Sequence, residues 1–86
     1  MLKIKDSVTY QKLNKIGFRK DYFNETYDYE IDADITISID ENDKRLTTFV
    51  ESGYEIRELA SDDYTTIEQL EYWLPEMVNL VEKVEV

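Results

Sequence analysis

The sequence predicts an α+β fold, an antiparallel three- to four-stranded β-meander flanked by an N-terminal helix and a C-terminal helix in the order α-β-β-β-(β)-α. Three observations predict it. From Tyr27 to Asp40 every odd position is apolar or tyrosine and every even one is polar or acidic, a period of two without an error. Beyond Thr65 and Thr66, the residues Ile67, Leu70, Leu74, Met77, Val78 and Val81 recur at helical spacing. Turn-forming residues between these segments are short polar clusters such as Asn24–Glu25 and Glu41–Lys44 rather than long linkers.

The first element is a helix at about 7–16. Asp6 and Ser7 are N-cap types, Val8, Leu13 and Ile16 give a one-sided apolar pattern, and Gly17 follows as the stop. Lys12 and Lys15 lie toward its C-terminal end, where positive charge opposes the negative pole of the helix dipole. Phe18–Phe23 reads as a strand and Asn24–Glu25 as a tight turn. The alternating segment 27–40 is one strand, or two strands sharing one phase. Fourteen residues exceed the usual strand length, so a kink or bulge is expected near Asp32–Asp34. Strict alternation also implies an antiparallel sheet with one wet face. After the Glu41–Lys44 turn, RLTTFVES forms the next strand, and GYEIREL a further one or a continuation past a bulge at Gly53. Ser61, Asp62 and Asp63 break the pattern before the second helix. Pro75 falls inside that helix and predicts a kink or break near Trp73–Leu74, because proline removes a hydrogen bond and clashes with the preceding turn. The last residues, LVEKVEV, read as an extended tail or an edge strand.

Composition limits the function classes. With 86 residues, of which 42% are hydrophobic and 13% aromatic, residues 1–86 form a single domain with one core. There is no Cys, which excludes disulfides, thiol nucleophiles and thiolate metal sites and fits a reducing cytoplasm. His is also absent, removing the most used general base and the commonest neutral metal ligand. MLKIKDSV lacks the apolar stretch of a secretion signal, and no run is long enough to cross a bilayer, so a cytoplasmic, non-membrane protein is expected. Net charge is −10, divided unevenly: residues 1–20 hold six Lys/Arg against one Asp, and residues 21–86 hold four against nineteen Asp/Glu. An acidic excess of this size repels phosphate, so direct nucleic-acid binding is not expected and a basic protein partner is.

Four constellations carry the candidate chemistry. The even face of the long alternating segment sets Asp28, Glu30, Asp32 and Asp34 in one line, repeating at about 6.6–7 Å. Such a row resembles a row of phosphates, and as a mimic it would occupy a basic nucleic-acid groove. The plainer reading is a solvated sheet face carrying solubility charge. Asp40, Glu41, Asn42 and Asp43 gather oxygen ligands but lack the glycine and terminal glutamate of a calcium loop, and a polar hairpin turn is the better account. The aromatic residues Tyr22, Phe23, Tyr27 and Tyr29, with Tyr64, Tyr72 and Trp73, mostly complete the core. Tyr72 and Trp73 are adjacent on a helix and cannot both face inward, so one of them is exposed and marks an interface. Lys3, Lys5, Lys12, Lys15, Arg19 and Lys20 form a basic set that pairs with the acidic remainder or with a second subunit.

The spacing of KIKDSV and LNKIGF near the start, the Tyr-rich acidic strand and the closing LVEKVEV resemble small uncharacterised proteins encoded in phages and prophages of Gram-positive bacteria. The resemblance covers most of the chain and implies a phage or prophage origin, a cytoplasmic site of action and nothing catalytic. The expected function is a non-enzymatic protein-interaction module, an acidic inhibitor that mimics nucleic acid and binds a basic host or phage protein. The candidate contact residues are Asp28, Glu30, Asp32, Asp34, Tyr72 and Trp73. The alternative is a small structural or accessory phage protein acting as a homo-oligomer, for instance a homodimer, and a small enzyme stands third. No catalytic, cofactor-binding or metal-ligating residue is assigned.

Overall fold

The computed structural model describes residues 2–52, 55–59 and 66–84, the strand residues 51–52 and 55–59 by their backbone alone. The chain begins with a strand and not with the expected helix. Strand β1 (Leu2–Ile4) is followed by helix α1 (Tyr10–Ile16), strands β2 (Arg19–Asp21), β3 (Thr26–Asp32), β4 (Ile35–Asp40), β5 (Leu46–Ser52) and β6 (Glu55–Leu59), helix α2 (Ile67–Trp73), a 3-10 helix (Pro75–Leu80) and strand β7 (Val81–Lys83). These strands make two antiparallel sheets, a five-stranded meander β2-β3-β4-β5-β6 and a two-stranded ribbon β1-β7. The α-β-β-β-(β)-α order is therefore corrected at both ends, and the meander has five strands rather than three or four. Three residues are too few to carry a periodicity of their own. Leu2–Ile4 is extended because it pairs with Val81–Lys83 from the far end of the chain.

Helix α1 is shorter than the sequence suggests. Its N-cap is Thr9, whose hydroxyl accepts from the Lys12 backbone N–H, whereas Asp6 is engaged with Lys3 and Lys44. Gly17 ends the helix at φ +134°, with its N–H donating to the Leu13 carbonyl. A Cβ there would lie 2.7 Å from the Tyr29 ring, so the helix-to-strand corner needs glycine for both its angle and its space.

The alternating segment is two strands, β3 and β4, folded at Ala33–Asp34. The Asp32 carboxylate accepts from the Asp34 and Ile35 N–H groups (2.8 and 3.1 Å) and holds that turn. A two-residue turn alone, closing on the Asp32–Ile35 pair, would set Tyr29 opposite Ser38 and divide the apolar residues of the two arms between opposite faces. The register shift between Glu30 and Asp32 supplies one extra residue, and from there Tyr29 faces Ile37 and Tyr27 faces Ile39. The bulge thus lets both arms present their odd residues to one core.

That core joins Tyr27, Ile37, Ile39 and Leu46 of the sheet to Leu13 of α1, Leu70 of α2, Leu74, Met77 of the 3-10 helix, and Leu2, Ile4 and Val81 of the ribbon, with Phe18 fully enclosed. Helices and ribbon accordingly cover the same sheet face. The break anticipated at Pro75 occurs: α2 ends at Trp73, Leu74 leaves helical geometry, and Pro75 starts the 3-10 helix at the position where its missing N–H costs nothing. Thr66 caps α2 through the Gln69 N–H. Gly53 and the Ser61–Asp63 segment lie outside the described residues, but β6 is a separate strand antiparallel to β5.

Candidate interaction surfaces

The β2-β3 hairpin carries two of the three large hydrophobic side chains that are exposed among the described residues. Its turn, residues 22–25, is tied to the end of β2 by one side chain. The Asp21 carboxylate accepts from the Phe23 and Asn24 backbone N–H groups (3.0 and 3.2 Å) and from the Asn24 side-chain amide (2.8 Å). These bonds, that from the Asn24 side chain foremost, hold the Asp21 carboxyl below the usual carboxylate range. Glu25 completes the turn with φ +56°. The result is a fixed tip carrying two aromatic rings in water, Tyr22 at 83% and Phe23 at 95% exposure. Lys20 supports the tip from below. Its ammonium sits 5.6 Å from the Tyr22 ring centre and 5.2 Å from that of Tyr27, and it is paired with the Glu41 carboxylate. The hydrogen bond that the Lys20 ammonium donates to Glu41 raises the Lys20 pKa. Tyr10 stacks on Tyr27 at 4.6 Å and donates its phenol to the Glu41 carbonyl, which ties α1 to the same corner.

Two depressions flank the hairpin. Strand β2 is only three residues long, and beside its short edge an open groove of about 680 Å³ is lined by Gly17, Arg19, Lys20, Asp21, Tyr22, Asp28, Tyr29 and Glu30. A second depression, of about 390 Å³, lies on the sheet face away from the helices between Asn24, Thr26, Asp28, Thr36, Ser38 and Phe49. Asp28 borders both. Its Oδ1 accepts from the hydroxyls of Thr26 (2.9 Å) and the buried Ser38 (2.6 Å). With the Ser38 proton directed at the Asp28 carboxylate, the bond satisfies a hydroxyl that is buried.

The expected acidic row takes a different shape from a straight line. Asp28 is half-buried in its hydrogen bonds, Glu30 is exposed in β3, Asp32 closes the hairpin with its carboxylate, and Asp34 is exposed in the turn. The bulge and the turn break the repeat after Glu30. Of the aromatic pair on α2, Tyr72 is 83% exposed, while Trp73 is half-buried against the core. Asp40 holds its own turn through the Asn42 and Asp43 N–H groups, and Asp43 takes the Arg45 N–H, so the loop read as a hairpin is one. No group of three or more metal-ligating side chains occurs among the described residues. Of the basic set, Lys3 pairs with Asp6 and Glu82, Lys20 with Glu41, and the Arg19 guanidinium donates to the Asn14 and Phe18 carbonyls.

Sequence reasoning set Tyr22 and Phe23 in an aromatic group most of whose members were expected to complete the core. The signal that separates them is local: two adjacent aromatics between Asp21 and Asn24 occupy an Asx-turn tip, where neither ring can reach the sheet face. No helix among the described residues is long and apolar enough to cross a membrane. No protein-family model matches the chain, and no curated protein or solved structure is found similar to it.

Proposed function

We propose that the protein is a non-enzymatic interaction module that binds a protein partner by inserting the Tyr22–Phe23 tip into an apolar pocket on that partner. The observation that carries this reading is the combination of near-complete exposure of Phe23 with a turn locked by three hydrogen bonds to Asp21. An aromatic ring kept in water by a rigid backbone loses little further entropy on docking, which is the physical profile of an interface anchor. The net charge of −10 selects a partner with a basic rim. The acidic end of the β3-β4 hairpin, with Glu30, Asp32 and Asp34, supplies one such complementary surface. This arrangement supports charge steering more than imitation of a phosphate row, because Asp28 is engaged internally. The phage or prophage origin and the cytoplasmic site of action rest on the sequence resemblance and on the absence of Cys.

The test is capture from a lysate of Gram-positive cells by the immobilised protein, the same experiment being run with Tyr22→Ser/Phe23→Ser and with Glu30→Gln/Asp32→Asn/Asp34→Asn. Loss of an anchor aromatic costs about 2 kcal/mol or more, roughly 30-fold in affinity. The tip variant is expected to lose the partner, and the charge variant to retain it with weaker binding and a reduced salt dependence. A tip variant that holds the same partner as strongly as the wild type removes this reading.

A further inference from the structure

The helical layer carries opposite charges at matched spacing. On α1, Lys12 and Lys15 are exposed one turn apart. On α2, Glu68 and Glu71 are exposed at the same three-residue separation, the acidic run continues to the exposed Glu76, and Tyr72 stands beside it at 83% exposure. Each pair spaces its charges by about 4.5 Å along the helix axis. None of these five charged groups forms an ion pair among the described residues, whereas Lys3, Lys20, Lys44 and Arg45 do. Leu13 of α1 and Leu70 of α2 are both fully buried in the core, while the charged residues beside them are exposed, so each helix turns its charges outward from the layer that covers the sheet.

We propose that this layer docks a second copy of the chain across a two-fold axis, α1 of one protomer lying along α2 of its partner. The same rotation lays α2 on the partner's α1, so the contact closes and satisfies both charged faces at once. Tyr72 then lies within reach of the facing lysines, where an ammonium over its ring adds a cation–π contact. Each protomer carries −10, and that repulsion opposes association. At physiological salt, charges farther apart than about 8 Å are largely screened, while facing helix charges in contact are not, so the local pattern prevails over the net charge. This surface is separate from the hairpin tip, and its failure leaves the tip reading untouched.

The experiment is sedimentation velocity on the wild type, Lys12→Glu/Lys15→Glu, Glu68→Lys/Glu71→Lys, an equimolar mixture of the two, and Tyr72→Ala. The wild type is expected at twice the 10.3 kDa chain mass. Each charge-reversed variant sets like charges against each other twice and is expected to weaken dimerisation by about 100-fold or more. Their mixture restores opposite charges at both contacts and is expected to recover the dimer, while Tyr72→Ala weakens it by about 10-fold. All five positions are exposed, and circular dichroism checks that each variant folds. A wild type that is monomeric at about 100 µM overturns the proposal, since any dimer with a dissociation constant of about 10 µM is mostly associated there. A dimer that survives both reversals, or a mixture that stays monomeric, overturns it equally.

Discussion

Replacing Gly17 by alanine tests how α1 is joined to the sheet. At φ +134° an L-residue is strained by about 1–3 kcal/mol. The new methyl would also stand 2.7 Å and 3.3 Å from two carbons of the Tyr29 ring, well inside van der Waals contact. That ring cannot swing away freely, because it packs at 5.4 Å on Phe18, which is fully buried. Overpacking of this kind costs about 1–3 kcal/mol. Gly17→Ala is therefore expected to lose about 2–6 kcal/mol from a domain whose total stability is about 5–15 kcal/mol, and a loss of about 3 kcal/mol lowers Tm by about 12–24 °C at this size. Urea unfolding followed by Trp73 fluorescence measures it, with an unchanged slope showing that the loss belongs to the folded state. Adding Tyr29→Leu to both backgrounds separates the two causes. If the clash matters, the double-mutant cycle shows a favourable coupling of at least about 1 kcal/mol, and the residual cost is backbone strain. A Gly17→Ala protein within about 0.5 kcal/mol of wild type, or a coupling near zero, refutes the reasoning.

The hydrogen bonds to Asp21 keep its carboxyl ionised to lower pH than usual. A depressed folded pKa means that this contribution to the turn is present above the unfolded value near pH 4 and disappears as pH falls through the folded one. The Phe23 and Asn24 amide resonances are expected to shift toward random-coil positions over that range, and Asp21→Ala to give the same spectrum already at pH 7. Tyr10→Phe removes the phenol that donates to the Glu41 carbonyl and is expected to cost about 0.5–1.5 kcal/mol in urea unfolding. Burial, followed by the Glu41 charge, raises the Tyr10 pKa, so the wild type loses this contribution as pH rises above about 10 through the folded value, and the Phe variant does not. Ser38→Ala is expected to cost about 1 kcal/mol. Asp28→Ala is expected to cost more, about 1–3 kcal/mol, because it leaves the buried Ser38 hydroxyl without its carboxylate, and equal losses would contradict the assigned direction of that bond.

Local chemistry was legible wherever a residue acts on its own neighbours. Gly17 as a helix stop and Pro75 as a break each operate within one turn of chain, and each stands where the sequence puts it. The unbroken phase from Tyr27 to Asp40 held more than a strand: a two-residue turn is compatible with that phase only if one residue is bulged, so the register shift at Glu30–Asp32 was written in the pattern. The ribbon was not legible, since LKI and VEK become strands only by finding each other across the whole chain. Thr9 displaced Asp6 as the cap because Asp6 had two lysines to bind. For the candidate surfaces, alternation assigns a residue to a face but not to a partner. Asp28 and Asp32 were therefore read as open charge although each closes local hydrogen bonds, and Tyr22–Phe23 were not singled out within the aromatic group because their meaning lies in the turn beneath them.

The pairing of β1 with β7 places Leu2 beside Lys83 and Ile4 beside Val81, so the two ends of the described chain lie side by side, about 5 Å apart across the ladder. The backbone is thus nearly a closed ring. A linker of a few residues between positions 84 and 2 would complete it, and new termini opened at the solvent-facing Ala33–Asp34 turn would leave every core side chain in place. Such a permuted chain is expected to keep the fold while carrying its ends at the β3-β4 turn, and would free the ribbon's neighbourhood from any tag or fusion attached there.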